Sequence, residues 1–276
     1  MTVTDVLNRA VQLNEGPTRI VTLHPTATEM LYRIGGSAVG RDTSSRYLPE
    51  VQSLPTVGGA YNPTIEAVVA LQPDLLVIEA LTQTRLLEPL QSVGAPVIVV
   101  RATSLSDVTQ GLTLLGEVID RSEAADRAIA EIKSKIAATK GVVPSPKKLL
   151  ILISDAERNI YAAKPESYPG AVAALLNLTN LAAGLPDSGP YPGFTRFSGE
   201  QALIANPDII FTLSPAPPPA PRLSEVISRV PGYSELEAVK VGRVKELNAD
   251  LFLAAQGPRI ADAVEELARL VKEAAP

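Results

Sequence analysis

The chain of 276 residues contains no cysteine and no tryptophan, and it has a single histidine. Without cysteine, the protein cannot form disulfides, thiolate metal sites, iron–sulfur clusters or a cysteine nucleophile. One histidine is too few for a multi-histidine zinc site or for the HExxH motif of a zinc enzyme. Aromatic residues make up only 4% of the chain, so the few that fall in predicted loops are informative about function.

Basic surface and long apolar segments are also lacking. The formal net charge is −5 at pH 7, so we expect no nucleic-acid partner, because such partners bind electropositive surfaces. No segment approaches the roughly 18–20 unbroken apolar residues of a membrane span, and residues 1–16 lack the apolar core of a secretory signal. Two interpretations of location remain: the protein stays in the cytoplasm, or it is exported and its signal has been removed.

The motifs of common α/β enzymes are missing as well. The chain has no G-x-S-x-G elbow, no G-x-x-x-x-G-K-[ST] phosphate loop and no G-x-G-x-x-G after its first predicted strand. A Ser-His-Asp triad would have to use His24, and no serine motif accompanies that residue. We therefore expect a protein that is not an enzyme.

Short apolar runs alternate with helical patterns along the chain. The clearest predicted strands are 19–23, 75–78, 95–100, 149–153, 209–213 and 244–247. The helices predicted between and after them include 64–71, 82–93, 169–181, 200–205 and 260–274. Thr26 and Glu29 have the spacing of a capping box, which places the start of another helix near Thr26. This alternation is typical of βαβ units with a mostly parallel sheet.

One long helix is predicted over 122–140, where Ile129, Ile132 and Ile136 form a single apolar stripe. The proline-containing segment 141–146 that follows marks a connection between domains. Because the chain has no flexible Gly/Ser linker, we expect the helix itself to join them. The predicted organisation is an N-terminal lobe at 1–120, a bridging helix at 121–141 and a C-terminal lobe at 142–276.

One sequence pattern occurs once in each half of the chain. Glu66 is followed by Pro73-Asp74 and an apolar strand, and Glu200 by Pro207-Asp208 and an apolar strand. The pattern predicts a short helix, a Pro-Asp stop and a return into the sheet. Two similar α/β lobes are therefore expected, with a ligand cleft between them at the carboxyl ends of parallel strands.

The order of these motifs resembles a known family. The motifs are RIVTL-HP-TATEMLYRIGG, LPTVGGAYNP-TIEAVVALQPDLLVI, FSGEQALIANPDIIF and QGPRIADAVEELARL. Over about residues 19–270 the chain is similar to the periplasmic substrate-binding proteins of ABC importers for haem, cobalamin and ferric siderophores, and most like the haem-binding members. The resemblance implies an α/β fold of two Rossmann-like lobes joined by one long α-helix. It also implies an exported monomer, periplasmic or in the cell envelope, whose export signal is absent from this chain.

The resemblance implies roles for residues in the cleft loops. In haem-binding relatives a tyrosine in the loop matching 58–62 coordinates the iron, which makes Tyr61 the expected ligand. His24, at the end of the first strand, is the candidate for a second iron ligand, so that one or two haems would bind per chain. The expected contacts to the haem propionates and rings come from Arg101, Arg259, Tyr191 and Arg196.

Structural roles remain open for the same residues. A histidine before a proline is often a hydrogen-bonding residue of the fold, and a loop tyrosine is often a packing residue. Arg259 could equally pair with a buried carboxylate. The ligand is open too: the lack of tryptophan counts against cobalamin, whereas Arg101, Arg196 and Arg259 would also suit an anionic ferric siderophore.

The resemblance further implies a membrane partner. In the family, one acidic residue in each lobe contacts arginines of the permease, and Glu66 and Glu200 occupy the matching positions. The expected partner is an ABC permease dimer. The simpler alternative is that each carboxylate only stabilises the first turn of its own helix through the helix dipole.

Overall fold

A computed structural model describes residues 1–14, 16–140, 147–216, 219–254 and 256–274. The chain forms two compact α/β units, which confirms the predicted fold class. The first unit comprises Met1–Ile132 with Ala254–Pro258, and the second comprises Lys133–Leu253 with Arg259–Pro276. In the described part of the chain, no helix combines the length and the apolar character needed to cross a bilayer.

The first unit contains eight strands among its described residues. Its strands are β1 (Thr2–Thr4), β2 (Ala10–Gln12), β3 (Ile20–Thr22), β4 (Gly40–Arg41), β5 (Gly58–Gly59), β6 (Asn62–Pro63), β7 (Leu75–Glu79) and β8 (Val97–Val100). Its helices are α1 (Pro25–Arg33), α2 (Ile65–Ala70), α3 (Ala80–Gln83), α4 (Leu87–Gln91), α5 (Leu105–Val118) and the first part of α6 (Ser122–Lys140).

A parallel sheet of order β4-β3-β7-β8 forms the centre of this unit. All five residues of β7 are buried, because the strand lies inside the sheet and is covered on both faces. Met30 and Leu31 of α1 are fully buried. The prediction of one continuous helix at 82–93 is wrong. A 3₁₀ turn, Thr84–Leu86, separates α3 from α4.

The second unit is built around a six-stranded mixed sheet. Its strands are β9 (Lys148–Ser154), β10 (Ile160–Ala163), β11 (Thr179–Asn180), β12 (Phe194–Arg196), β13 (Ile209–Leu213) and β14 (Val244–Glu246). Its further helices are α7 (Tyr168–Leu175), α8 (Gly199–Ala205), α9 (Leu223–Val226), α10 (Glu237–Lys240) and α11 (Ile260–Glu273). The order is β12-β10-β9-β13-β14, with β11 also beside β9, and β10 is antiparallel to both of its neighbours.

The long helix predicted over 122–140 is present as α6. The chain passes from the first unit to the second inside this helix, between Ile132 and Lys133. Residue 141, the predicted end of the bridging helix, and the segment 142–146 lie outside the described residues. The predicted domain limits at 120/121 and 141/142 stay predictions.

The repeated Pro-Asp pair forms the same backbone clamp in both units. In the first unit, the Asp74 carboxylate accepts hydrogen bonds from the backbone N–H groups of Thr18 and Arg19, both at 2.8 Å. In the second unit, the Asp208 carboxylate accepts one from the N–H of Lys148 at 2.8 Å. Each aspartate also donates its own N–H to the neighbouring segment, to the carbonyls of Arg19 and Lys148.

The residue before each Pro-Asp pair also has the same backbone conformation in both units. Gln72 and Asn206 both have a left-handed backbone, each with φ of 47°. That conformation ends the short helix and turns the chain back into the sheet. The repeat read from the sequence is therefore a structural unit, in which helix, stop and strand occur in the same order twice.

Candidate ligand-binding site

The predicted ligand residues of the first unit lie at one edge of its parallel sheet. Because β3, β7 and β8 run in the same direction, the residues that follow them share the carboxyl edge. His24 follows β3 and Arg101 follows β8. The structure thus brings these two residues to the same edge, separated by β7.

His24 is the N-cap of α1. Its Nδ1 accepts a hydrogen bond from the backbone N–H of Thr26 at 3.2 Å, so the predicted capping box of Thr26 and Glu29 is wrong. Burial lowers the pKa of His24 to about 4, and the ring is neutral at pH 7. Since Nδ1 accepts, the ring proton is on Nε2. To bind iron through Nε2, His24 would have to move that proton to Nδ1 and lose the hydrogen bond that caps α1. Its role as an iron ligand stays a prediction, and it requires this proton shift.

The lowered pKa of His24 predicts a stability change in mild acid. The native ring binds a proton only near pH 4, whereas the unfolded ring binds one near pH 6.5. Stability contributed by this group is therefore present above pH 6.5 and is lost as the pH falls toward 4. His24→Asn keeps a capping acceptor that does not titrate. We expect the urea midpoint of the wild type to fall relative to that of the variant between pH 6.5 and 4, and curves that stay parallel would contradict the prediction.

Tyr61 lies in the turn of a small hairpin formed by β5 and β6. Its side chain is 61% exposed, whereas that of Ala60 beside it is buried. The turn depends on Gly58, whose φ is +96° and whose position leaves only 2.8 Å between an added Cβ and the carbonyl oxygen of Asn62. An exposed aromatic ring on so tight a turn argues against a packing role for Tyr61.

A residue that the sequence did not single out links this turn to the sheet edge. The Nε2 of Gln83 donates hydrogen bonds to the carbonyl oxygens of Leu23, at 2.6 Å, and Ala60, at 2.7 Å. Its Oε1 accepts one from the N–H of Glu79 at 2.9 Å. Leu23 directly precedes His24, and Ala60 directly precedes Tyr61. An amide within a short helix has no sequence signature, so only the structure identifies Gln83.

Two charged residues lie at this edge, Arg101 and the buried Glu79. Burial raises the pKa of Glu79, although its hydrogen bonds from Leu81 and Thr82 and the positive charge of Arg101 act in the opposite direction. Arg101 is therefore placed near a carboxylate of its own unit. Leu81, two residues after Glu79 in the sequence, is 46% exposed and adds an apolar side chain to the same edge.

Buried hydroxyl groups stiffen the other side of the edge. The Oγ1 of Thr28 in α1 lies 2.7 Å from the Oγ1 of Thr22 in β3 and 2.9 Å from the Oγ of Ser45, which follows β4. Ser45 in turn donates to the carboxylate of Asp42, whose pKa is raised by burial. This chain of contacts fixes a helix start and two strand ends relative to one another.

The second unit brings two other predicted residues together around an aromatic cluster. The ring of Tyr191 lies 5.5 Å from that of Tyr161 and 5.9 Å from that of Phe194, both in edge-on geometry. The Tyr161 hydroxyl donates to Asp155 at 3.0 Å. Arg196, on β12, donates from Nη2 to the side-chain oxygen of the neighbouring Asn159 at 2.8 Å. Burial raises the pKa of Tyr191, so its phenol is protonated at pH 7.

Arg259 occupies a different part of the second unit. It is the N-cap residue of α11, and its Nη2 contacts the carbonyl oxygen of Asp250 at 3.4 Å. The structure thus places His24, Tyr61 and Arg101 in the first unit, and Tyr191, Arg196 and Arg259 in the second. Their predicted contacts with a ligand stay predictions. In the described residues, no group of three or more acidic or histidine side chains is placed to hold a bare metal ion.

The two repeated glutamates have matching surroundings. Glu66 and Glu200 are both exposed, each in the first turn of its helix, α2 and α8. Three residues further on, at the neighbouring position of the same helix face, each helix exposes a large apolar side chain, Val69 or Leu203. Ile204, next to Leu203, is 81% exposed.

Residues 20–251 match the family described as periplasmic binding protein. The chain belongs to this family of periplasmic binding proteins. Its relatives include a substrate-binding protein of an ABC transporter. This confirms the family resemblance, and it assigns the chain to the substrate-binding proteins that serve ABC importers.

Two curated relatives are also binding proteins by name. The chain is 27% identical to the uncharacterised ABC transporter substrate-binding lipoprotein YvrC of Bacillus subtilis, over 98% of this chain and 85% of that protein. It is 25% identical to a vitamin B12-binding protein of Vibrio parahaemolyticus, over 92% of this chain and 89% of that protein.

Two solved structures share the fold. The periplasmic haem-binding protein HutB of Vibrio cholerae superposes with a TM-score of 0.80 at 20% identity, covering 92% of this chain and 98% of that chain. The petrobactin-binding protein YclQ of Bacillus subtilis gives 0.81 at 19% identity, covering 99% and 98%. At such identities the likeness establishes the fold alone.

Proposed function

We propose that this protein captures haem outside the cytoplasm, in the periplasm or cell envelope, and delivers it to an ABC permease. The observation that carries the proposal is the placement of Tyr61, an exposed phenol on a glycine-dependent turn held at the carboxyl edge of a parallel sheet. A tyrosine oxygen is an established kind of axial ligand for haem iron. The fold shared with a haem-binding protein of Vibrio cholerae supports the proposal.

Other groups suit a flat anionic macrocycle. Leu81 offers exposed apolar surface in the first unit, and the cluster around Tyr191 offers aromatic edges in the second unit. Arg101, Arg196 and Arg259 supply cations for the haem propionates. We propose one haem held by Tyr61. A second haem would use His24, and only after the proton shift described above.

Cobalamin or a ferric siderophore on the same scaffold is the second candidate. The vitamin B12-binding relative, at 25% identity over most of the chain, favours cobalamin. The petrobactin-binding structure and the three arginines favour a siderophore. Against cobalamin stands the complete lack of tryptophan, which leaves few large rings to flank a corrin.

Thermal unfolding with a panel of ligands separates these candidates. A ligand that binds only the native state at about 100 times its dissociation constant adds about 2.7 kcal/mol of stability. We expect hemin to raise the melting temperature, iron-free protoporphyrin IX to raise it less, and cyanocobalamin and a ferric siderophore to leave it unchanged. A shift with cobalamin or the siderophore and none with hemin would replace haem by that ligand.

Delivery requires a surface that a permease can recognise. We propose that Glu66 and Glu200 dock this protein, as a monomer, onto a permease dimer. Each carboxylate is exposed beside an exposed aliphatic side chain, Val69 or Leu203. A cation flanked by apolar surface on the partner would complement such a patch, and a dimeric partner offers two copies of that surface.

A further inference from the structure

We propose that Gln83 is a positioning residue that fixes the turn of Tyr61 relative to the strand end of His24. The inference rests on the proposed function, in which Tyr61 and His24 are the predicted iron ligands and their relative position matters for binding. The amide nitrogen of Gln83 has two hydrogens, and they go to the carbonyls of Leu23 and Ala60. These are the residues that directly precede the two predicted iron ligands.

The hydrogen bonds of Gln83 leave it no freedom. The side chain is 0% exposed, and a buried amide without partners is costly. Two carbonyl oxygens require the NH₂ group on one side, and the N–H of Glu79 requires the oxygen on the other, so the orientation of the amide follows from its partners. No water molecule is needed to complete this set of three bonds.

The hairpin of Tyr61 cannot fix its own geometry. Strands β5 and β6 have two residues each, and even longer isolated hairpins are marginally stable. The base of the hairpin is held by the N–H of Thr43, which donates to the Gly58 carbonyl at 2.9 Å. The tip is held by side chains: Gln83 binds the carbonyl of Ala60, and Nη2 of Arg85 binds the carbonyl of Tyr61 at 2.8 Å.

The test replaces Gln83 by methionine, which has similar length but cannot donate. Two controls accompany it. Gln91→Met makes the same change at an exposed amide of α4. Leu90→Ala removes buried apolar volume from the core cluster that includes Val57, at the base of the hairpin, and leaves the side-chain hydrogen bonds of the turn in place. The first readout is amide hydrogen exchange of the ligand-free protein, followed for peptides that cover 57–64.

We expect exchange in 57–64 to be at least about tenfold faster in Gln83→Met than in either control, since the turn opens locally when its buried anchor is lost. With hemin, we expect Gln83→Met to bind at least about tenfold more weakly and to lose intensity in the phenolate-to-iron charge-transfer band. If Gln83→Met does not fold, Gln83→Asn replaces it in the same comparison. Its shorter amide cannot reach both carbonyls, so exchange in 57–64 is again expected to be faster than in either control.

The outcomes are separable. Unchanged exchange in Gln83→Met, or equal acceleration in Leu90→Ala, would overturn the positioning role. A wild-type protein without the charge-transfer band would overturn the proposed haem ligand, while the exchange comparison would still decide whether Gln83 fixes the turn.

Discussion

Replacing Tyr61 with phenylalanine is expected to abolish the phenolate-to-iron charge-transfer band of the hemin complex and to weaken hemin binding about 100-fold, or about 2.7 kcal/mol. The variant keeps the ring and its apolar contacts and removes only the oxygen that would bind the iron. Because Tyr61 is exposed on its turn, the free energy of unfolding should stay within about 0.5 kcal/mol of the wild type. Absorption titration with hemin measures both effects.

The chain offers a matched control for this substitution. Tyr47 belongs to the same unit and is 58% exposed, so Tyr47→Phe makes the same chemical change at a similarly exposed tyrosine. Its hemin spectrum and affinity should match the wild type. An unchanged spectrum in Tyr61→Phe, or an equal loss in Tyr47→Phe, would show that the phenol of residue 61 does not hold the iron.

Reversing the charge at both repeated glutamates should abolish transport without affecting capture. In Glu66→Arg with Glu200→Arg, two cations would face the cations expected on the permease, and like charges brought together at an interface cost several kcal/mol. We expect haem uptake by cells to fall to background, whereas each single substitution reduces it in part. Hemin affinity of the purified double variant should stay within about twofold of the wild type.

A second pair of carboxylates separates docking from simple helix stabilisation. Glu88 and Glu237 are also exposed in the first turns of their helices, one in each unit. Glu88→Arg with Glu237→Arg changes the net charge by the same amount and removes the same favourable interaction with the helix dipole. Transport by this control should be normal. Loss of transport in both pairs, or weaker hemin binding in the docking pair, would contradict separate roles for docking and capture.

Features with a strong local period could be predicted from the sequence. The stripe of Ile129, Ile132 and Ile136 predicts α6 over its whole length, and the buried runs at 75–78 and 209–213 predict β7 and β13. The repeated Pro-Asp pair was visible as a stop signal. Its second role, as an acceptor for backbone N–H groups of the neighbouring segment, depends on pairing between strands distant in sequence.

Features that depend on distant partners could not be predicted. Strands β10 and β12 are short, and the antiparallel pairing of β10 with β9 on one side and β12 on the other is a tertiary property. His24 was expected at a strand end, where it lies, but the use of its Nδ1 as a helix cap competes with the sequence signal from Thr26. Gln83 acts through two carbonyls far from it in sequence, which no local pattern reports.

The most direct test of the central claim is a crystal structure of the protein crystallised with hemin. The account predicts a haem whose iron is bound by the phenolate oxygen of Tyr61, with the Gln83 hydrogen bonds to Leu23 and Ala60 retained. An iron held by another residue, a phenol of Tyr61 directed away from the haem, or a protein that binds cobalamin and not hemin would contradict it.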